Sequence, residues 1–429
     1  MLTGREQETA FLENHYKRTG SQILVVYGQR GVGKTALLTS FTEKKQTLRY
    51  SAGNCSSREQ QYLWGRELRS RGKEIAEYPS WRELLECMTI QKGETTADKK
   101  VLIIENFQYL LKGDTLFLQE LIRFLKEKKE ALLVTLTTYA SGWVENSMIS
   151  KVGNLAFSVS GFLKVKELPF SAMRKIFSDY TVQESISLYA TLGGLPGLWR
   201  LLYPQNSAEE NLIRLLLQRN SFLPELMIKW LGETSVYDTI LATLADGRHG
   251  KLNDMYAHTG FSRAKISVYL KNLMELELVE KVLPGTYEIC NAFVRFYFCF
   301  LFPHQTSERT EGSTFYEKYI REEYNDFQLL TYRRICQEVL QGRFRTVELW
   351  NSRQGKIYFL CREDTGRKIV VDYSGTVCYT SKDYDVLQAS MKREHVTADS
   401  ILIFSENGYE KTLTEGTVQI LVHSVDENS

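Results

Sequence analysis

The chain has 429 residues and carries 54 lysines and arginines against 52 aspartates and glutamates. Its length exceeds one hydrophobic core and fits about three domains, while the near-neutral charge excludes a global field for nucleic acid or anionic membrane, so any basic patch must be local. The seven cysteines form no C-x-x-C pair and no Cys/His group at zinc spacing, and are expected as reduced, mostly buried thiols of a cytoplasmic protein.

Thr3-x-x-Glu6 has the form of a capping box and predicts a helix from about Gln7 to Arg18. No signal peptide is expected from the opening residues, which lack its basic and apolar regions. The run Ile23-Leu24-Val25-Val26-Tyr27 predicts a buried parallel strand, and Ala36-Leu37-Leu38-Thr39-Ser40-Phe41 starts a helix. Between them stands Gly28-Gln29-Arg30-Gly31-Val32-Gly33-Lys34-Thr35, a complete G-x-x-x-x-G-K-[ST] phosphate loop in the strand-loop-helix setting it requires. Glycines there let backbone N–H groups wrap phosphates at a helix N-terminus. Lys34 is placed to reach the β and γ phosphates and the Thr35 hydroxyl to hold Mg²⁺, so ATP and Mg²⁺ are the expected cofactors.

A second strand is expected over Thr47 to Asn54, then a polar helical stretch to about Glu86, then the buried strand Val101-Leu102-Ile103-Ile104-Glu105-Asn106. A helix with apolar residues at 116, 118, 121, 122 and 125 and a strand Ala131 to Leu136 complete an alternation that means a parallel α/β sheet covered on both faces. After Pro169 the pattern turns helical: Ser171 to Asp179, Gln183 to Thr191 and Ala208 to Arg219, with a tight turn at Gly193-Gly194-Leu195-Pro196-Gly197. Helices Val236 to Leu244, Leu252 to Thr259 and Ser262 to Leu276 then lead into a hairpin, Leu278 to Val282 and Thr286 to Ile289, turning at Pro284-Gly285. This is the order of a winged helix-turn-helix. Ile266, Leu270, Leu273 and Leu276 would form its buried stripe. The apolar stretch Phe293 to Phe302 holds Arg295 and is half the length of a membrane span, so it reads as core. Beyond it come helices Tyr316 to Glu323 and Tyr332 to Leu340, strands Lys356 to Arg362 and Lys368 to Tyr373, helix Asp383 to Lys392 and strand Ser400 to Phe404.

Over nearly its whole length the chain resembles the archaeal-type ATPases of the STAND/AAA+ group that carry a winged helix and a restriction-endonuclease-like C-terminal domain. The residues behind the resemblance are Thr3-Gly4-Arg5-Glu6, the phosphate loop, Leu102 to Leu110 as the Walker B strand, Gly194-Leu195-Pro196 as the G-x-P turn, and Tyr287 to Phe298 as the aromatic exit from the winged helix. It implies an α/β P-loop NTPase core with a parallel sheet over 1–165, a helical lid over 166–231, a winged helix over 232–305 and a small α/β endonuclease-like domain over 306–429. It also implies that Arg5 lies near the adenine and that Pro196 packs on the base.

Where the family has Asp-Glu at the end of Walker B, this chain has Glu105-Asn106. Glu105 keeps a carboxylate for the Mg²⁺ shell, but Asn106 can orient water and cannot accept its proton, which typically costs about 10² to 10⁴ in rate. Asp114 or Glu145 could substitute. Thr137 or Thr138 occupies the place of a γ-phosphate sensor, or else caps the next turn. In the C-terminal domain the D…(D/E)-x-K pattern of the resembling nucleases aligns with Tyr358, Asp372 and Ser374, leaving Asp372 alone, so active nuclease chemistry is not expected. Ser262, Arg263, Lys265 and Lys271, with Lys281 on the wing, would contact double-stranded DNA; alternatively the module relays nucleotide state within the chain. The expected function is a switch protein that binds Mg-ATP and hydrolyses it slowly, and the alternative is a non-hydrolysing ATP-binding regulator or DNA-associated scaffold. An unidentified protein partner is expected, and no membrane.

Overall fold

The computed structural model describes residues 2–89, 99–112, 115–128, 130–218, 235–245, 249–304, 312–353, 355–410 and 419–423, with the single positions 221, 223, 247 and 425. The chain divides into two compact units, residues 1–167 with 275–277, and residues 168–274 with 278–429.

The first unit is built on a five-stranded sheet in the order β2-β3-β4-β1-β5, all parallel. Its strands are β1 (Gln22–Tyr27), β2 (Thr47–Ser51), β3 (Lys100–Glu105), β4 (Leu132–Thr138) and β5 (Gly161–Lys164). The apolar runs read as buried strands do so because helices cover both faces: all seven residues of β4 are buried. Helices α1 (Glu6–Lys17), α2 (Lys34–Thr42), α3 (Ser57–Ser70), α4 (Trp81–Thr89) and α5 (Leu116–Glu127) belong to this unit. Of the apolar positions expected for α5, Leu118, Leu121 and Ile122 are buried, joined by Phe117 and Phe124, while Leu125 is half-buried and Leu116, at the helix start, is exposed. Trp64, Trp81 and Phe117 gather at the sheet's β2 side, where Tyr50 stacks flat on Trp64 at 3.9 Å.

The register aligns the chemistry. Val26 stands opposite Thr137 and Tyr27 opposite Thr138, while Ser51 stands opposite Glu105. The carboxyl ends of β1, β3 and β4 therefore share one edge of the sheet, the edge where parallel α/β sheets receive ligands.

Three local expectations for this unit need correction. Thr3 does not cap α1: Gly4 sits at φ +74, outside the helical region, so the helix starts at Glu6 with Arg5 at its cap and no capping side chain. The stretch expected as one helix to Glu86 is two helices, α3 and α4, parted by a segment holding Gly72 at φ +78 and Pro79. The short edge strand β5 has no counterpart in the expectations.

The second unit begins with the helices Phe170–Ile176, Val182–Leu192, Pro196–Trp199 and Ala208–Leu212, the last continuing as a π-turn over Ile213–Leu217. The helices Ser235–Ala245, Leu252–Thr259 and Arg263–Glu275 follow in the expected order. After them comes the antiparallel hairpin of β6 (Val279–Leu283) and β7 (Thr286–Ile289). Ile266, Leu270 and Leu273 are buried, but Leu276 is 39% exposed. The helix has ended at Glu275 and Glu277 takes a left-handed φ of +57, so Leu276 leaves the stripe. The aromatic run around Arg295 packs inside the unit, with Phe293, Phe296, Phe298 and Phe300 buried.

Helices Gly312–Tyr319 and Tyr324–Arg343 precede a mixed sheet, ordered β12-β11-β10-β9-β8. Its strands are β8 (Thr346–Asn351), β9 (Ile357–Arg362), β10 (Lys368–Gly375), β11 (Ser400–Ser405) and β12 (Gln419–His423). Pairing is antiparallel from β8 to β10 and parallel from β10 to β12, the crossover running through the helix Ser381–Arg393. Strands β8 and β12 were not anticipated. Among the described residues no helix is long and apolar enough to cross a membrane.

Candidate nucleotide-binding site

The loop after β1 owes its shape to its glycines. Gly28 has φ +146, Gly31 +85 and Gly33 +95, all regions that L side chains rarely enter. At Gly28 space is as limiting as torsion, since a Cβ built there would stand 2.1 Å from the carbonyl oxygen of Val165. Gly33 is the N-cap of α2, which begins at Lys34, so the helix N-terminus and the loop N–H groups face the same concavity. The Lys34 ammonium donates to the carbonyls of Gly28 at 2.6 Å and Gln29 at 2.9 Å. Burial pushes its pKa down to about 8; Arg30 adds to the shift, while Glu277 and Glu105 oppose it. The Thr35 side chain, in the first turn of α2, is exposed.

Phosphate oxyanions favour the ammonium, so a bound nucleotide raises the Lys34 pKa above 8 and binding takes up a proton at higher pH. ATP affinity is therefore expected to be nearly flat up to pH 7, to fall about twofold by pH 8 and to weaken by up to about tenfold per pH unit above that. Titration calorimetry at stepped pH in buffers of different ionisation enthalpy checks both the trend and the proton uptake.

Several neighbours hold the loop. Arg5 is buried, donating to the carbonyls of Val32 at 2.7 Å and Lys166 at 2.8 Å and pairing with Glu8 at 2.7 Å. Its guanidinium thus clasps the phosphate loop to the segment after β5. Gln29 donates to Glu167 at 2.7 Å. Arg30 lies over the Tyr139 ring at 3.9 Å, and the Tyr139 and Tyr109 hydroxyls meet at 2.5 Å. Loops from β1, β3 and β4 are tied together through these three side chains.

At the end of β3 the Glu105 carboxylate accepts from Arg49 of β2 at 3.1 Å, and Arg49 also donates to Thr39 of α2 at 3.2 Å. Asn106 takes the left-handed conformation, φ +56 and ψ +39, which asparagine tolerates better than glutamate does. Its amide lies 3.5 Å from Ser51 Oγ. Thr137 is buried at the end of β4, and the neighbouring Thr138 accepts from the Ala140 N–H at 3.0 Å, the turn-capping role. Of the substitute carboxylates, Glu145 is engaged by Lys164 at 3.0 Å and by the Tyr27 hydroxyl at 3.3 Å. Asp114 lies outside the described residues.

The remaining candidates belong to the second unit. Pro196 is the first residue of its helix, in a turn tied by Trp199 Nε1 to the Gly193 carbonyl at 2.8 Å. Ser262, Arg263, Lys265, Lys271 and Lys281 are all exposed. Arg263 bonds Asn253 at 3.1 Å, and Lys265 lies 4.0 Å over the Phe261 ring. Asp372 was expected to be the one carboxylate left of the nuclease-like pattern. It is fully buried and accepts from Lys356 at 2.7 Å, from the Tyr379 hydroxyl at 2.7 Å and from the Tyr373 N–H. Burial raises its pKa and these donors oppose the rise. Among the described residues no three His, Cys, Asp or Glu side chains are grouped to hold a metal ion.

Arg49, Tyr109, Tyr139 and Lys356 were missed as partners in these sites. Arg49 had one available signal: Thr47, Arg49 and Ser51 alternate along a strand, and a charge inside a parallel sheet needs a partner.

Residues 1–136 match the model of the AAA ATPase domain. An uncharacterised protein of Methanocaldococcus jannaschii is 24% identical over 403 residues, covering 86% of each chain. An uncharacterised ATP-binding protein of the same organism is 37% identical over 51 residues, 12% of this chain and 86% of that one. Among solved structures, the Walker-type ATPase of Pyrococcus abyssi is similar with a TM-score of 0.51 at 15% identity, over 69% of this chain and 95% of its own, a likeness of fold. Loop geometry and these similarities together support an ATP-binding P-loop protein with an α/β core, whose N-terminal third matches an AAA ATPase domain.

Proposed function

We propose that the chain is a nucleotide-dependent switch that binds Mg-ATP and hydrolyses it slowly. The observation that carries this reading is the placing of Lys34 on the loop carbonyls at the N-terminus of α2, on the sheet edge that also presents Glu105 and Thr137. Thr35 and Glu105 would hold the Mg²⁺. Glu105 fits this role in that its second carboxylate oxygen has no partner among the described residues. When bound, the ion would neutralise charge developing on the phosphates. Thr137 would bond the γ-phosphate, and Arg5 would act through the loop it clasps. Residues 166–231 with Pro196 would form the lid, and the three helices and hairpin of 232–305 a winged helix.

Slow turnover follows from Asn106, which has no carboxylate to receive the proton of water. The same residue favours the second reading, a regulator that holds ATP intact. Exposed Arg263, Lys265, Lys271 and Lys281 support DNA as a partner in either case. The C-terminal sheet is read as a nuclease-like fold without nuclease chemistry, because Asp372 is sealed by Lys356 and Tyr379.

Asn106→Glu and Asn106→Asp test the division of labour. Either carboxylate is expected to raise ADP release by about 10² or more if the rest of the machinery is intact. The glutamate variant should lose roughly 1 kcal/mol of stability to the left-handed backbone, the aspartate less. No gain in ADP release from either variant would mean that slow hydrolysis does not originate at Asn106.

A further inference from the structure

The second unit contains a cluster of guanidinium groups that nucleotide binding does not use. Arg295 is 4% exposed and forms no ion pair among the described residues. Its guanidinium lies over the Phe327 ring at 3.9 Å and donates to the Phe327 carbonyl. Beside it, Arg333 takes both oxygens of the buried Glu288, at 3.1 and 2.6 Å. Arg334 reaches Glu280 at 2.7 Å and stands 3.7 Å from Glu288. Three guanidiniums thus share two carboxylates, one of them exposed. Nε of Arg333 and Nε of Arg334 are also buried without an acceptor among the described residues.

A buried cation without a counterion destabilises the fold, and a buried N–H without an acceptor adds to that. Burial, with Arg334 next, pushes the Arg295 pKa down to about 9. A cavity of about 540 Å³ opens onto this cluster, lined by Arg295, by Arg333 with its partner Glu288, and by Lys356, with the exposed Glu323 and Asp326 also on its wall. The volume suits a small molecule.

We propose that this cavity binds a small metabolite through an oxyanion group, phosphate or carboxylate, with Arg295 as its anchor. The planar guanidinium offers two parallel donors to such a group. The acidic side chains of the wall suit a ligand whose other end donates hydrogen bonds or carries positive charge. Lys356 contributes little net charge, being paired with Asp372. The proposal rests on the second unit alone and does not depend on the nucleotide reading.

Thermal unfolding of the full chain tests it, with inorganic phosphate or acetate compared against chloride at equal ionic strength. One anion or both should raise the midpoint by about 2–4 °C at concentrations well above its Kd, and the more effective one identifies the head group. The shift should persist in Lys34→Ala, which removes phosphate binding at the loop, and vanish in Arg295→Met. Arg295→Met should itself melt no lower than the wild type without added anion, because it deletes an uncompensated charge. Cys299→Asp provides a second route should Arg295→Met not fold. Cys299 lines the same cavity, and an aspartate there supplies the missing counterion and should also abolish the shift. No shift in the wild type beyond chloride, or a shift undiminished in Arg295→Met or Cys299→Asp, overturns the proposal.

Discussion

Gly28→Ala is expected to abolish ATP binding and to cost the first unit about 3–5 kcal/mol of stability. The new Cβ would sit 2.1 Å from the Val165 carbonyl oxygen and 3.1 Å from its carbon. That carbonyl cannot easily retreat, because the Val165 N–H is bonded to the Tyr27 carbonyl at 2.7 Å, which continues the β1–β5 pairing. The alternative is to move the loop, which displaces the carbonyls holding Lys34. Gly20→Ala is the matched control: Gly20 is also left-handed, at φ +72, but nothing lies within 4 Å of its would-be Cβ. Its cost should be backbone strain alone, about 1 kcal/mol. Denaturant unfolding of the two variants, followed by ATP titration, separates close packing from torsion; equal losses in both would contradict the proposed loop geometry.

Lys34→Ala is expected to weaken ATP binding at pH 7 by about a hundredfold or more, since charge-assisted hydrogen bonds to phosphate are worth roughly 1.5–3 kcal/mol each. Stability should not fall by more than about 1 kcal/mol, because the side chain takes part in no core packing and its burial already disfavours the ammonium in the fold. Calorimetric titration together with a urea melt distinguishes loss of a ligand contact from loss of the fold. The variant should also lose the weakening of affinity above pH 8.

What could be read from the residues was whatever depends on contiguous sequence. The phosphate loop lies in one run of eight residues with its strand and helix beside it. Strand β3 is a buried apolar run ending in Glu105, and the three helices and hairpin each show their own period and turn residues. Contacts between distant segments could not be read. Arg49 meets Glu105 only because β2 pairs with β3, and Arg5 reaches Val32 and Lys166 only after the chain has folded. Strands β5 and β8 lacked a signal because their residues are mostly half-buried, leaving weak alternation to detect. Local rules also yielded to tertiary demands at Thr3, where the capping-box spelling was overridden by the left-handed Gly4. The partners of Asp372 could not be read, because Lys356 approaches it from just before the neighbouring strand β9 and Tyr379 from beyond the end of its own strand.

The most direct test of the central claim is to incubate the purified chain and its Lys34→Ala variant with Mg-ATP, then to quantify protein-bound nucleotide and released ADP over time. The wild type is expected to retain ATP near one equivalent and to release ADP slowly over repeated cycles, with both signals lost in Lys34→Ala. Bound ATP that stays intact would instead favour the non-hydrolysing regulator. Absence of bound nucleotide in the wild type would contradict the account.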